Sequence, residues 1–413
     1  MGYSKQIIKG FSWAAILNAI AMAVSFIKIV LLSHFIFGPT EFGIFGVGVV
    51  ILGIMELITE TGINVFLVQE TDPLVKYLDT AWVVSIIRGF LISFTLAIFS
   101  YPISVFFKIP SHWSFILAFS LLPLIRGFLN PAIANLQKTL KFREDSIFRF
   151  SISFIGDISI IFFAFVTHSI FSFIIGMFVS AVVELILTFV LIKERPHLRF
   201  DKDHFGKIVH RGKWVTLALI FDYLFEHGDD LAVGRILSVA ALGIYQNSYN
   251  IAILPEKAIG QQLGRVTFPV YVNFLEDKPR LRRAFFRTFI VVLVMVLPFG
   301  LALFFLSDPI IKLVLGTKWL AAIPVLRVLA LFTVVRVIAS LFYPLFLAFK
   351  KQRYISISTL TSILVLAILV IPLTNMYGIT GAAMAALIGS IAGIPVDFYY
   401  FYKLTSKKEK LQK

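Results

Sequence analysis

The sequence predicts an all-α integral membrane protein with twelve transmembrane helices in two six-helix bundles. Long apolar stretches alternate with short loops, and 59% of the 413 residues are hydrophobic, including 44 Phe. The basic residues concentrate in every second loop. Since lipid cannot satisfy backbone N–H and C=O groups, only helices or closed barrels cross a bilayer, and apolar runs of this length indicate helices.

A helix needs roughly 20 mostly apolar residues to cross the hydrocarbon core. Six stretches of the first half qualify in chain order, at residues 11–36, 42–59, 80–106, 113–135, 147–167 and 169–192. Six more follow, at residues 214–234, 240–272, 286–306, 319–349, 355–373 and 380–402. We therefore predict an N-terminal six-helix lobe (1–192), a cytoplasmic linker (193–213) and a C-terminal six-helix lobe (214–413) with a short basic tail.

The distribution of Lys and Arg predicts the orientation. One set of loops and the two ends carry nearly all of them, whereas the other set carries only Lys108, Arg235, Lys312 and Lys318. Because basic loops are retained inside the cell, both termini are predicted to be cytoplasmic, in a multi-pass protein of the bacterial inner membrane. The same retention explains the net charge of +15, so no nucleic-acid partner is expected.

The sequence contains no pattern typical of an enzyme or a metal site. The absence of Cys excludes disulfides and thiolate chemistry. Nucleophile-elbow, HExxH, Walker and GxGxxG patterns are missing, and the His residues near helix ends lack ligand spacing: His34, His112, His168 and His197. We therefore expect neither catalysis nor a cofactor nor a bound metal.

The two halves share a weak internal repeat. Gly43-Ile44-Phe45 is echoed by Gly243-Ile244-Tyr245, and Arg126, Lys141, Arg143 and Ser146 match Arg336, Lys351, Arg353 and Ser356 at one constant offset. Such repeats are typical of transporters, whose binding cavities lie where the repeats meet. The repeat thus predicts a polar cavity between two duplicated lobes.

Charged side chains at membrane depth are costly, so each is a candidate for function. The basic candidates are Lys28, Arg88, Arg126, Lys257, Arg265, Arg327 and Arg336, and the acidic ones are Asp157, Glu184, Asp222, Glu226, Asp229, Asp230 and Asp397. For Arg88, snorkelling to the interface is an equal alternative. For Glu184 and Asp397, the plain interpretation is pairing with loop cations. Arg327 and Arg336 point to opposite faces of a straight helix, and Arg336 is favoured as the counterpart of Arg126.

Two helices carry polar stripes. On the eighth, Gln246, Asn250, Lys257 and Gln261 would share one face, either lining a hydrated passage or bonding to neighbouring helices. On the seventh, Asp222, Glu226 and Asp229 share a face. These carboxylates would either take up protons or pair with Lys28, Lys257 or Arg235. Asp229 and the adjacent Asp230 are outermost, and we expect them to be hydrated at the helix end.

Several segments resemble one family in their order and spacing. Gly243-Ile244-Tyr245, Leu254-Pro255 and Val266-Thr267-Phe268-Pro269 resemble the eighth helix of bacterial polysaccharide transporters, the O-antigen and exopolysaccharide flippases of the MOP superfamily. Gly38-Pro39-Thr40-Glu41-Phe42-Gly43 and Glu60-Thr61-Gly62-Ile63, ending in Val68-Gln69, resemble that family's first turn and second-helix exit. Many relatives have two further C-terminal helices.

The resemblance implies a V-shaped pair of lobes that carries an oligosaccharide, linked through diphosphate to undecaprenol, across the inner membrane by alternating access. We expect Lys28, Arg126, Lys257, Arg336 and Arg88 to bind the diphosphate, with Asn18, Asn250 and Gln261 on the sugars. Asp222, Glu226, Asp229 and Asp157 would couple or gate transport. Further partners would be membrane lipid, a polysaccharide polymerase and chain-length machinery. Alternatives are a lipid II flippase, a cation-coupled multidrug exporter and a membrane polymerase or ligase.

Overall fold

The computed structural model describes residues 3–59, 67, 75–139, 141–257 and 261–406. Of residues 3–15, 207–219, 221–222, 224–225 and 261–266 it describes only the helical backbone. All regular structure within these ranges is helical. The chain divides into two compact units, Met1–Ile220 and Phe221–Lys413.

The described residues of the first unit form eight α-helices, followed by the start of a helix that continues into the second unit. They are α1 (Tyr3–Leu31), α2 (Pro39–Ile58), α3 (Val75–Phe106), α4 (Trp113–Phe119), α5 (Leu121–Gly127), α6 (Ala134–Lys138), α7 (Phe142–Thr167) and α8 (Phe171–Leu191). A π-helical turn, Leu32–Ile36, extends α1.

The remaining helices include the one shared by both units. They are α9 (Lys202–Ile236), α10 (Val239–Ala252), α11 (Gln261–Asn273), α12 (Lys278–Phe305), α13 (Ser307–Val314), α14 (Ala322–Ser340), α15 (Phe342–Ala348) and α16 (Gln352–Thr405). Helix α9 begins at Lys202, so the second half of the predicted linker is helical.

Eight helices in the described part of the chain are long and apolar enough to cross a membrane, or nine if a bent pair at 110–138 counts as one span. Helix α16 is in fact two helices that meet at Gly378, whose φ of 62° lies in the left-handed region that favours glycine. This bend lies where the sequence predicts an outer loop. The total of twelve spans stays a prediction.

Two of the predicted spans are broken helices. The predicted eighth helix, 240–272, is interrupted after Ala252, because Pro255 has no N–H to continue the helical ladder. The predicted fourth helix is divided near Asn130, whose side chain accepts a hydrogen bond from Ala132 N at 3.0 Å. The expectation of one straight helix is wrong in both cases, and the breaks place polar residues beside the cavities described below.

Glycines allow close packing in the first unit. A Cβ atom on Gly89 of α3 would lie 2.5 Å from the carbonyl oxygen of Pro123, and one on Gly127 of α5 would lie 3.0 Å from the Ser85 oxygen. Helices α3 and α5 therefore touch backbone to backbone. This contact holds Arg88 and Arg126 in the wall of the same cavity.

An aromatic core stabilises the second unit. Phe285 of α12, Phe342 of α15 and Phe401 of α16 are buried together, and the Phe285 and Phe401 ring centroids lie 4.4 Å apart. Buried aromatic side chains contribute much of the packing energy of a core. The cluster packs α15 against the end of α16, and both helices contribute residues to the cavity wall of this unit.

Candidate functional site

A cavity of about 440 Å³ lies inside the first unit, and its wall combines arginine and carboxylate side chains. These are Arg88, Arg126, Arg149, Glu56, Asp145 and Glu184. They come from α2, α3, α5, α7 and α8, so the cavity is built by most of the helices of this unit. Its volume is within the range of small-ligand sites.

Arg126 is the central cation of this cavity. Its Nη1 atom lies 3.2 Å from Glu56 Oε1, and its Nε atom lies 3.9 Å from Glu184 Oε2. The Nε atom is buried without a hydrogen-bond partner, although 37% of the side chain is exposed. An anion in the cavity can therefore reach Arg126 through the exposed part of its side chain, and not through Nε.

Arg88 lies in the same wall and binds the end of α2. Its Nε donates to Thr59 Oγ1 at 3.0 Å, and its Nη2 donates to the Glu56 carbonyl oxygen. The guanidinium is thus held in the same cavity wall as Arg126.

A second cavity, of about 500 Å³, lies inside the second unit. Its charged wall residues among those described are Arg336 and the three carboxylates Glu226, Glu256 and Asp397. Hydroxyl groups of α14 and α16 and the rings of α15 complete the wall. The formal charge of these side chains is negative, unlike the balanced wall of the first cavity.

Protein groups surround the guanidinium of Arg336. Its Nε lies 3.1 Å from the Glu256 carboxylate, its Nη1 donates to Tyr249 Oη at 3.1 Å, and its Nη2 lies 3.4 Å from Glu226 Oε1. Only 17% of the side chain is exposed. Glu226 thus pairs with Arg336 and not with Lys28, Lys257 or Arg235, the partners considered from the sequence.

The two arginine–glutamate pairs occupy matching positions of the internal repeat. Arg126 and Arg336 are related by an offset of 210 residues, and Glu56 and Glu256 by the 200 residues that also relate Gly43 to Gly243. Sequence reasoning identified both arginines and missed both glutamates. The signal was present, because each Glu lies thirteen residues after its glycine.

Lys28 is bound within the first unit. Its Nζ lies 2.6 Å from Asp157 Oδ1, and Ser25 donates to the other carboxylate oxygen. Asp157 is 7% exposed. This ion pair joins α1 to α7, and it places the two predicted residues together without putting either in the wall of the first cavity.

A carboxylate cluster joins α9 to α10. Tyr245 Oη donates to Asp229 Oδ2, while Gln246 Nε2 donates to Asp230 Oδ2 at 3.1 Å. His227 Nδ1 lies 3.0 Å from the same Asp230 oxygen. Asp229 and Asp230 are 3% and 5% exposed, so the expectation that they would be hydrated at the helix end is wrong.

The other predicted residues are dispersed. Asn18, Asn250, Lys257 and Arg327 are exposed, and Arg327 Nε donates to Ser307 Oγ at 3.0 Å. The side chains of Asp222, Gln261 and Arg265 lie outside the described residues. Glu184 faces Arg126 and not a loop cation.

Within the described ranges, no group of three or more His, Cys, Asp or Glu side chains has the geometry to hold a metal ion.

Comparison with known proteins identifies the family. A family model described as polysaccharide biosynthesis protein matches residues 32–324, more than half of the chain. The chain belongs to this family. The resemblance seen in the sequence is therefore confirmed, and the broken helices and paired charges described above belong to a polysaccharide biosynthesis protein.

Among individual relatives, the chain is 25% identical over 338 residues to the lipopolysaccharide biosynthesis protein WzxC of Escherichia coli (strain K12). This match covers 81% of this chain and 68% of the relative. Two solved structures show the fold. The lipid II flippase MurJ, in an inward closed conformation, matches with a TM-score of 0.74, 19% identity and coverage of 95% of this chain and 89% of MurJ.

The second solved structure is an inward-facing multidrug resistance MATE family transporter of the MOP superfamily. It matches with a TM-score of 0.68, 13% identity and coverage of 94% of this chain and 96% of the transporter. The chain is therefore an integral membrane protein with the all-helical fold of MOP transporters. Its family and structural neighbours are transporters, not enzymes.

Proposed function

We propose that this protein flips an oligosaccharide, linked through diphosphate to a polyprenyl lipid, across the bacterial inner membrane. The family assignment and the similarity to a lipopolysaccharide biosynthesis protein support this class of substrate. The observation that carries the proposal is the arginine pair, Arg88 and Arg126, in the wall of a cavity inside a membrane-spanning unit.

The chemistry of the arginine pair suits a diphosphate. Guanidinium groups bind phosphate oxygens through charge-assisted, often bidentate hydrogen bonds, which are stronger in a water-poor cavity. The Arg126 side chain is 37% exposed, and hydrogen bonds to the end of α2 hold Arg88 in the same wall. The diphosphate is therefore assigned to Arg88 and Arg126. Lys28 lies outside this wall and Arg336 is only 17% exposed, so neither is given this role.

The substrate's lipid tail needs no path through the protein, because it stays in the bilayer. Only the hydrophilic head must be shielded, and alternating exposure of the binding residues to the two sides of the membrane accomplishes this. Both termini would lie in the cytoplasm, in line with the basic loops. Since the chain has no Cys, single cysteines introduced near each end would report this orientation by labelling from either side.

Coupling and gating are assigned to three carboxylates that bind side chains of other helices. Glu226 is 49% exposed and lies 3.4 Å from Arg336 Nη2, so loss or gain of this contact would change the charge of the second cavity. Asp157 is buried against Lys28 and would gate motion between α1 and α7. Asp229, bound by Tyr245, would hold α9 on α10 during the cycle.

Reconstitution into liposomes tests the function. We expect a fluorescent polyprenyl diphosphate-linked oligosaccharide to equilibrate between leaflets faster in vesicles with the protein than in protein-free vesicles. Lipid II and a cationic dye are the matched alternative substrates. Transport of the dye alone would instead indicate a drug exporter, and faster transport of lipid II than of every oligosaccharide lipid would indicate a lipid II flippase.

A further inference from the structure

The cavity of the second unit is unsuited to an anion, although it contains the repeat counterpart of Arg126. Its described wall has one guanidinium and three carboxylates, and Glu226, Glu256 and Tyr249 surround that guanidinium. A phosphate there would meet a net negative charge at short range. The ligand of this cavity must differ chemically from that of the first.

Asp397 is the most informative residue of the wall. It is 5% exposed and has no ion pair among the described residues. The Ser358 hydroxyl is its hydrogen-bonding neighbour, but the single proton of Ser358 is also 3.3 Å from the Gly393 carbonyl oxygen. A buried carboxylate without a counter-charge is costly, and here it keeps acceptor capacity toward the cavity.

Ser390 provides an independent observation. It lies in the same wall, is 5% exposed, and its hydroxyl has no hydrogen-bond partner. Buried polar groups are nearly always satisfied, so an orphaned hydroxyl at a cavity indicates a missing ligand or water. Ser390 can both donate and accept a hydrogen bond.

The rest of the wall alternates hydroxyls with aromatic surface. Ser340, Thr359 and Ser362 add hydroxyl groups, and Tyr343 adds a ring that is 55% exposed. Carbohydrates present a ring of hydroxyls, which donate to carboxylates, and apolar C–H faces, which pack on aromatic rings. The combination of both kinds of surface in one cavity matches that chemistry.

A metal ion fits the cavity poorly. Bound cations require several oxygen ligands converging at short distances, and in the described part of the chain no cluster of acidic or His side chains has that arrangement. The volume, about 500 Å³, is typical of a site for an organic ligand. The dispersed hydroxyls suit a ligand whose own polar groups are dispersed.

We propose that the cavity of the second unit binds the sugar portion of the substrate, with Asp397 and Ser390 hydrogen-bonding to sugar hydroxyls. Glu256 and Arg336 act as positioning residues that hold α14 in the wall. The inference rests on the proposed function, because it names the part of that substrate which this cavity recognises.

Binding to the full chain in lipid nanodiscs tests the assignment. The probes are inorganic pyrophosphate and a panel of free oligosaccharides that contain glucose, galactose or N-acetylglucosamine. We expect at least one oligosaccharide to bind to the unaltered protein. Asp397→Asn and Ser390→Ala should each weaken binding of the best oligosaccharide roughly tenfold, the effect of about one hydrogen bond, and leave pyrophosphate binding unchanged.

Controls separate this proposal from the proposed function. Thr374→Val changes a buried, unpartnered hydroxyl on the first of the two helices that make up α16, outside the cavity wall, and should alter neither affinity. Arg126→Gln should weaken only the binding of pyrophosphate. Binding of pyrophosphate without binding of any oligosaccharide, or oligosaccharide binding that Asp397→Asn leaves unchanged, would overturn the sugar site alone. Absence of all binding would overturn both proposals. A sodium-dependent stabilisation that Asp397→Asn abolishes while sugar binding stays intact would identify a cation site instead.

Discussion

Arg336 and Glu256 form a largely buried ion pair, with 3.1 Å between Nε and the carboxylate, at the positions where the first half of the chain has Arg126 and Glu56. The pair occurs in both halves, but its surroundings differ. In the second half the side chains are 17% and 19% exposed, whereas in the first half they are 37% and 35% exposed. The Arg336–Glu256 pair therefore has a structural role, whereas the Arg126–Glu56 pair is accessible to a ligand.

The two pairs should differ in their contribution to stability. Glu256→Gln leaves a buried guanidinium with fewer compensating charges, and we expect it to lower the free energy of unfolding by about 2–3 kcal/mol. Glu56→Gln affects a partly exposed pair, whose contribution is below about 1 kcal/mol. Melting temperatures in one detergent check the order. Equal losses, or a larger loss for Glu56→Gln, would contradict the distinction between the two pairs.

Glu56 should compete with the ligand of Arg126. Because its carboxylate lies 3.2 Å from the guanidinium, it repels any phosphate that approaches the same group. Glu56→Gln is thus expected to strengthen binding of inorganic pyrophosphate about three- to tenfold, measured by calorimetry. Asp308→Asn, in the exposed pair with Lys312, is the control and should change nothing. Weaker binding by Glu56→Gln would show that Glu56 only positions Arg126.

Much of the helical pattern could be predicted from apolar runs alone. Helices α7 and α8, at Phe142–Thr167 and Phe171–Leu191, lie close to the predicted 147–167 and 169–192. The breaks in two helices were missed, because the average hydrophobicity of a stretch hardly changes when it contains a single proline or a single helix-capping residue. Pro255 and Asn130 decide those breaks through a single missing or redirected hydrogen bond.

The candidate site was predictable in part. The cost of a charge in lipid and the repeat register identified Arg126 and Arg336, but not which residues neutralise them. Partners distant in sequence, such as Lys28 and Asp157, meet only when α1 packs on α7. The hydroxyl wall around Asp397 was also missed, since Ser and Thr are ordinary in membrane helices and become informative only when a cavity gathers them.

Lys28 and Asp157 should depend on each other for stability. Either Lys28→Met or Asp157→Leu leaves one buried charge without its partner, and each is expected to cost at least about 2 kcal/mol. The double variant removes both charges and should lose clearly less than the sum of the single losses. A double-mutant cycle of melting temperatures measures this coupling. Additive losses would show that the 2.6 Å contact contributes little.

The turn inside α16 provides a steric test. A Cβ atom on Gly381 would lie 1.9 Å from the Leu373 carbonyl oxygen, so Gly381→Ala should separate the two helices and strongly reduce the folded yield. Gly378→Ala meets no atom within 4 Å and carries only the strain of its backbone angles, φ 62° and ψ −141°, about 1–3 kcal/mol. Gly206→Ala, on open helix surface, is the control and should be neutral. Folded yield after size-exclusion chromatography gives the ranking.

The flipping rate of reconstituted variants tests the central claim most directly. At equal amounts of folded protein, Arg88→Gln and Arg126→Gln should each slow translocation of the diphosphate-linked oligosaccharide roughly ten- to a hundredfold, because each removes a charge-assisted hydrogen bond of about 1.5–3 kcal/mol. Arg327→Gln, at an exposed arginine bound to Ser307, should leave the rate unchanged. Translocation at the unaltered rate by a folded Arg88→Gln, Arg126→Gln double variant would contradict the account.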